Sequence, residues 1–497
     1  MPKRITSFAL ALPPRARGLP AYRWLYESLR QQILDGRLRP GTRVPATRDL
    51  ARQYGLARGT IVNAFDQLKS EGYLAGSVGS GTRVSRVLPE QLLHVERKHA
   101  ECPPAAKRLR VGLSAYGQRA TLFTGYEERP TLAFRCNLPA LDLFPITLWT
   151  KITNRCLRRM TMQLMMGCSP LGYAPLRKAI AEYLRTARAV RCEPEQILIV
   201  SGVQEALDLV TRVLVDPGDR VCLENPAYPG AALVFQAHGA AVKAIGVDAE
   251  GLRVSELPAR GARLAYLTPG HQFPLGTTMS LARRLQLLEW ARKSGALIFE
   301  DDYDSEYRYS GRPIPALQGL DQHGVVLYAG SFSKVMYPAL RLGYVVVPPE
   351  LVKKMEAIKS LTTRHMPVLQ QMVVAEFISE GHFARHLRRM REVYAERLSV
   401  LLEEARHRLA GALNVSSVEA GLQTAGWLTR GVRAETVATL AAERNVEVTP
   451  LSRYALGRAG QEGLQLGFAA LAPREIRRGV RELGVALEKA QTRASSA

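Results

Sequence analysis

Cysteine is scarce and scattered in this 497-residue chain: Cys102, Cys136, Cys156, Cys168, Cys192 and Cys222 include no CxxC pair and have no histidine at ligand spacing. That distribution excludes a zinc-finger-like site and a disulfide framework, and no metal is expected; free thiols in a reducing compartment are the simpler reading. Long apolar runs are lacking too. None approaches the roughly 18 residues a membrane span needs, and the short stretch from Phe8 to Leu12 stops at Pro13 and Pro14, so neither a span nor a leader is expected. No internal repeat or low-complexity tract occurs, which excludes a solenoid. Acidic residues are the minority charge, 45 against 68 Lys and Arg, for a formal net charge of +23. Residues 1–120 hold 21 basic and 8 acidic side chains, so contact with a polyanion is expected near the N-terminus. Charge alone does not choose among DNA, RNA and a membrane surface. The overall expectation is a soluble, cytoplasmic protein without a membrane partner.

What is present is enough for two or three domains, since 497 residues exceed a single core and 46% of them are apolar. The pattern divides into a tail (1–19), a compact basic head (20–86), a linker (87–128) and a large body (129–497) with a smaller α+β subdomain from about 374. In the head, Trp24, Leu25, Leu29, Ile33 and Leu34 recur at helical spacing. Thr47 stands as a candidate N-cap for a second helix ending at Gly55. A third helix, roughly 57–71, is expected to turn Ile61, Val62, Phe65 and Leu68 inward. Tyr73 and Leu74, a turn with Gly76, Gly79 and Gly81, and Thr82 to Val84 predict a two-stranded wing. The linker has Pro103, Pro104 and a basic cluster at Lys107, Arg108 and Arg110. In the body, β-rich runs at 197–200, 220–223, 263–267, 296–299, 325–328 and 343–347 alternate with helical patterns, which predicts a mainly parallel sheet covered on both faces.

A helix-turn-helix inserts its second helix into the major groove, so donors are needed on that helix's first turn. Arg58 and Thr60 are there. Arg48 opens the preceding helix within reach of phosphates, and Gly81 with Arg83 in the wing can approach the minor groove. A basic protein-binding module, or a merely solvated face, is the competing reading. The stretch from Tyr26 to Val84, with "TRDLARQYGLARGTIVNAFDQL" at its centre, resembles the winged helix-turn-helix of GntR-type transcription regulators. The resemblance implies double-stranded operator DNA as partner and Arg48, Arg58, Thr60 and Gly81 as contacts. Ala57 and Ala46 depart from it, each standing where the family often has serine.

The body carries a set of residues suited to pyridoxal phosphate (PLP), which needs an amine for its aldehyde, a carboxylate at its ring nitrogen, and hydroxyls and a guanidinium at its phosphate. Lys334 supplies the amine, Asp301 the carboxylate, and Ser331, Ser333 and Arg341 the phosphate ligands. Ser201, Gly202, Val203 and Gln204 follow a strand and open a helix, so their N–H groups make an anion cradle. Tyr303 can bond the phenolic oxygen and Tyr228 can stack on the ring, although either tyrosine can equally be core. Glu300, Asp301, Asp302 and Asp304, read singly, fit a metal cluster or an exposed acidic loop as well.

Six stretches in order, "SPLGYAPLRKAIAEYL", "VSGVQEALDLV", "ENPAYPGA", "LTPGHQFPLGTTMS", "FEDDYDSEYRY" and "GSFSKVMYPALRLGY", resemble the aspartate-aminotransferase-like enzymes of fold type I over about residues 130–490. Head and body together resemble the MocR/GabR subfamily of bacterial regulators. The resemblance implies Lys334 as the covalent attachment point, Asp301 at the pyridinium, Tyr303 at the phenolic oxygen, Tyr228 stacking, and Gly202, Val203, Gln204, Ser331, Ser333 and Arg341 around the phosphate. It also implies a homodimer with each head on its partner's body. Phe273 replaces the asparagine many aminotransferases use at the cofactor, leaving His271 as the substitute. Gln465 stands where they carry the arginine that clamps a substrate carboxylate, and Gly230 where GABA-responsive relatives have an arginine. The expectation is therefore a PLP-dependent transcription regulator that senses an amine effector or PLP itself. An active aminotransferase, and a DNA binder in which PLP only stabilises the body, are the rivals.

Overall fold

The structure is a computed structural model that describes residues 10–15, 18–77, 81–87, 112–123, 131–309, 314–429, 431–457 and 460–495. Gly79 of the wing turn, Cys102 and the basic cluster at 107–110 lie outside the described residues. The chain divides into two compact units, 1–111 and 112–497.

In the smaller unit, α1 (Ala21–Leu34), α2 (Thr47–Tyr54) and α3 (Arg58–Ser70) precede a hairpin of β1 (Leu74–Ser77) and β2 (Gly81–Val84). One core takes Leu25, Leu29 and Ile33 from α1, Leu50 from α2, Ile61, Ala64, Phe65 and Leu68 from α3, and Val84 from the hairpin. Two details differ from the sequence reading. Val62 is only half-buried and Ala64 takes its place inside, because a 3.6-residue period from Ile61 returns at 64 and 65 rather than 62; for the same reason Leu34, next to buried Ile33, is exposed. Thr47 is the first residue inside α2, and the cap is Ala46, which has no side chain to offer. Gly55 then ends α2 in a left-handed conformation, φ 62°.

The larger unit is built on an eight-stranded sheet: β3 (Ile197–Val200), β4 (Arg220–Asn225), β5 (Ala241–Asp248), β6 (Gly251–Leu252), β7 (Ala262–Leu267), β8 (Leu297–Asp302), β9 (Val326–Ser331) and β10 (Gly343–Val346). Their spatial order is β3-β10-β9-β8-β7-β4-β5-β6. β9, β8, β7, β4 and β5 run parallel, while β10 is antiparallel to both its neighbours. Alternation along β3 explains why its whole ILIV run is apolar: Ile197 and Ile199 enter one core, Leu198 and Val200 the other.

A smaller four-stranded antiparallel sheet, β11 (Leu413–Val415), β12 (Gln423–Leu428), β13 (Thr449–Pro450) and β14 (Gly463–Gly467), has the order β11-β12-β14-β13. It is accompanied by the long helices His382–Arg408 and Pro473–Ser495. Within the stretch read as linker, a helix at Ala115–Arg119 is capped by Ser114 and belongs to the larger unit. Arg119 Nε donates to the Ala237 carbonyl at 3.1 Å, and Tyr116 packs edge-on against His238. Among the described residues no helix is long and apolar enough to cross a membrane.

Candidate cofactor pocket and DNA-binding face

Parallel strands carry ligand sites beyond their carboxyl ends, and the predicted residues of the body gather there. β8 ends with Asp301 and Asp302, β9 ends with Ser331 and leads into the one-turn helix Phe332–Val335 that holds Lys334, and β3 leads through Ser201 to Gly202. Lys334 Nζ donates to the Asn137 carbonyl at 2.9 Å. Burial lowers its pKa to about 8, with the Asp304 and Asp301 carboxylates working in the opposite direction. Asp301 is 5% exposed. Its Oδ2 accepts from the Tyr266 hydroxyl at 2.7 Å, and its Oδ1 is buried with no partner in the protein. Burial raises this carboxyl to about 7; the Tyr266 bond opposes the rise and the neighbouring Asp302 and Asp304 add to it.

On the phosphate side, Ser331 Oγ accepts from the Ser333 backbone N–H at 3.2 Å, while Ser333 Oγ is buried without a protein partner. Gly202, at φ 136°, is the N-cap of the helix Val203–Leu214, whose first N–H groups have no intrahelical acceptor. A Cβ on Gly202 would come within 3.9 Å of the Arg341 guanidinium, so cradle and guanidinium face each other. Arg341 itself is exposed. Gly343 is required by close approach: a Cβ there would lie 2.8 Å from the Gly330 carbonyl oxygen and 3.1 Å from Gly202 Cα. The Ser201 N–H, expected in the cradle, is instead spent on Glu205 Oε2 at 2.5 Å. Glu205 is in turn fixed by Lys359 and Thr363, each at 2.7 Å. Gln204's side chain is also committed, donating to the Gly230 carbonyl at 2.9 Å and accepting from the Tyr228 hydroxyl at 3.2 Å. Burial pushes the Tyr228 phenol above its usual pKa, Asp301 reinforcing and Arg341 opposing, which puts the three in one neighbourhood.

Tyr303 and His271 are paired. The Tyr303 hydroxyl lies 3.0 Å from His271 Nδ1, which also sits 3.0 Å and 3.1 Å from the two Asp304 oxygens. The acidic run is neither a metal cluster nor an exposed loop, because each buried carboxylate has a different task. Glu300 accepts the Leu317 and Gln318 N–H groups, Asp302 pairs with Arg188 at 2.7 Å and accepts from Tyr328, and Asp304 also accepts from the Leu422 N–H.

Sequence reasoning missed Asn137, Tyr266, Gln423 and Tyr454. Asn137 lies 197 positions from Lys334 and Gln423 a further 89 beyond it, so no local spacing connects them. Tyr266 carried a signal, since it is the penultimate residue of a strand adjacent to β8 and its side chain alternates onto the same face as Asp301. Phe273 is a packing hub, meeting Tyr228, Tyr303 and Tyr454 edge-on at centroid distances of 5.9, 6.1 and 5.0 Å.

In the smaller unit Arg48, Arg58, Gly81 and Arg83 are exposed and Thr60 is half-buried. Arg58 and Thr60 fall in the first turn of α3 and Arg48 in that of α2. Arg83 Nη1 donates to the Gly41 carbonyl at 3.1 Å, tying the wing to the loop before α2. Gly81, at φ 81°, has the Arg43 guanidinium 2.8 Å from where a Cβ would sit, so a side chain here meets backbone strain and Arg43 must move aside.

Residues 21–84 match the bacterial regulatory proteins of the gntR family, and residues 144–483 match aminotransferase class I and II. The probable rhizopine catabolism regulatory protein MocR of Rhizobium meliloti is 38% identical over 94% of this chain and 94% of its own length. The chain belongs to the MocR/GabR subfamily of GntR-type transcription regulators. A second such relative, the pyridoxine biosynthesis transcriptional regulator PdxR of Corynebacterium glutamicum, is 30% identical over 90% of this chain and 91% of its own. The body superposes on LysN, the alpha-aminoadipate aminotransferase of Thermus thermophilus, solved with N-(5'-phosphopyridoxyl)-L-leucine, with a TM-score of 0.67 and 32% identity. The alignment covers 73% of this chain and 93% of the enzyme. This MocR-type chain is thus a helix-turn-helix transcription regulator with a fold type I body, and the cofactor of that body is pyridoxal phosphate. Its own residues fit the group. Asp301 Oδ1 is a buried acceptor and Ser333 Oγ a buried hydroxyl, neither with a partner in the protein, and Lys334 is a half-buried amine of lowered basicity.

Proposed function

We propose that this regulator senses an amine effector, or pyridoxal phosphate itself, through a cofactor held on Lys334. The observation that carries the reading is the half-buried Lys334 amine, lowered to about 8, beside a carboxyl whose second oxygen has no partner in the protein. Pyridoxal phosphate would bring to this place an aldehyde that amines occupy reversibly and a ring that draws electrons when its nitrogen is protonated. Asp301 keeps that nitrogen protonated. Tyr303, backed by His271 and Asp304, presents its hydroxyl to the phenolic oxygen, and Tyr228 covers the ring. Ser331, Ser333, Arg341 and the N–H groups of Gly202, Val203 and Gln204 hold the phosphate.

Arg48, Arg58, Thr60, Gly81 and Arg83 contact operator DNA in this reading. The protein acts as a homodimer with each head lying on its partner's body, so a change in the bodies alters the spacing of the two heads on the half-sites. Only a ligand with different affinity for the two arrangements can drive such a change. Amino-acid transamination is the weaker reading, because Gln465 cannot give the charge and paired N–H bonds of the arginine it replaces. The reading is tested with Lys334→Ala in a reporter strain. Loss of the cofactor's visible absorbance together with loss of the effector response is expected. Loss of the absorbance with an unchanged response would refute it.

A further inference from the structure

Deeper than Lys334, the face of the small antiparallel sheet presents two glutamines. Gln423 on β12 pairs with Gly467, and Gln465 on β14 pairs with Ala425, so strand alternation puts both side chains on one face as diagonal neighbours. Both are buried, at 1% and 0% exposure. That face looks toward Lys334: Gln423 Oε1 accepts the Asn137 N–H at 3.0 Å, and the Asn137 carbonyl takes the Lys334 ammonium.

The oxygens of both amides are already spoken for. A backbone N–H only donates, so the Gln423 oxygen must face Asn137 and its NH2 must face away. Gln465 Oε1 accepts from the Tyr454 hydroxyl at 2.7 Å. Neither Nε2 atom has a hydrogen bond of good geometry, although Gln423 lies beside the Tyr303 phenol. Gln465 Nε2 therefore lacks an acceptor and Gln423 Nε2 has only the Tyr303 oxygen beside it, and leaving such groups unmatched is costly.

The acceptor they suit is uncharged. A carboxylate brought here would lose its water without meeting a guanidinium at position 465. It would also approach the carboxylates of Asp301 and Asp304, which already act on Lys334. Two arginines of neighbouring segments are engaged elsewhere, Arg453 with Glu435 at 2.7 Å and Arg135 with Glu447 at 3.8 Å; Arg430 and Arg458 lie outside the described residues. Position 230, the other place where an anchoring cation would come from, is closed by packing. A Cβ there would lie 2.5 Å from Gln204 Oε1 and 2.7 Å from the Tyr228 ring.

We propose that the effector is a primary amine carrying uncharged hydroxyl or ether oxygens, an amino alcohol or amino polyol, whose oxygens accept from Gln465 and Gln423 while its nitrogen reaches the Lys334 end of the cleft. This rests on the amine-sensing reading above.

The test is isothermal titration of the full-length holoprotein with three size-matched amines. Serinol carries two CH2OH groups, L-serine exchanges one of them for a carboxylate, and isopropylamine has neither. Serinol is expected to bind at least tenfold more tightly than L-serine and than isopropylamine. Gln465→Arg is expected to reverse the order of serinol and serine. Gln465→Met, which keeps the volume and removes the donor, should bring serinol down to the level of isopropylamine. Serine binding as well as serinol overturns the inference, as does unchanged serinol affinity in Gln465→Met. Borohydride labelling of the same sample separates the two failures. Absence of a pyridoxyl adduct on Lys334 removes the amine-sensing reading itself, whereas an adduct on Lys334 with no serinol preference removes only this inference.

Discussion

A lysine near pKa 8 makes a quantitative demand on how the apoprotein takes up its cofactor. Only the neutral amine attacks an aldehyde. At pH 7 an amine with a pKa near 8 is neutral in about one molecule in ten, against about four in ten thousand for a solvated lysine near 10.4, a gain on the order of a hundredfold. The perturbation is pH, and the assay is stopped-flow uptake of pyridoxal phosphate by apoprotein, followed in the visible band between pH 6 and 10. Uptake should rise about tenfold per unit below pH 8 and flatten above it, whereas a lysine-analogue control keeps rising toward pH 10. Asp301 and Asp304 are the groups that hold the ammonium charged. Asp301→Asn should therefore move the bend to lower pH, not higher. A wild-type profile that climbs tenfold per unit through pH 9.5 would mean a solvated amine, and the reasoning from burial would be refuted.

Further outcomes follow from the same geometry. Tyr266→Phe removes the bond that holds Asp301 ionised, worth about 1.5–3 kcal/mol for a charged acceptor. Its carboxyl should rise above 7, weakening cofactor affinity roughly tenfold at pH 7 in a fluorescence titration, with most of the loss recovered at pH 9. Lys359→Met leaves the mostly buried Glu205 without its ammonium and should cost about 3–5 kcal/mol in thermal unfolding followed by circular dichroism. Adding Glu205→Gln should restore part of that, and a single variant as stable as wild type would exclude the pair as a structural tie. Arg58→Ala should lower the slope of log affinity against log salt by about 1, equally on operator and scrambled DNA, in fluorescence anisotropy. A loss confined to the operator would make Arg58 a base reader instead.

How much of this could be read from the sequence depended on whether the signal was local. Strand β3 was legible to the residue because four consecutive β-branched or leucine positions filled two cores at once. Strand β5 was not, since Ala241, Lys243 and Gly246 dilute a strand that is mostly half-exposed. The Ala115–Arg119 helix was hidden because it is short and leans on residues more than a hundred positions away. In the pocket, Lys334, Ser331, Ser333 and Arg341 fall within eleven residues, so their common purpose showed in the spacing. Asn137, Gln423 and Tyr454 reach the same cleft through sheet pairing and long-range bonds, and no periodicity announces that. The acidic run read ambiguously for a related reason. What separates Asp301 from Glu300, Asp302 and Asp304 is the partner each finds, and those partners, Tyr266, Leu317, Arg188 and His271, lie elsewhere in the chain.

The account turns on Lys334 holding the cofactor covalently. Full-length protein purified with pyridoxal phosphate, reduced with borohydride, digested and weighed by mass spectrometry tests this most directly. A pyridoxyl adduct on the peptide bearing Lys334, absent from Lys334→Ala, is the predicted result. An unmodified Lys334 peptide, or the adduct on another lysine, would contradict it.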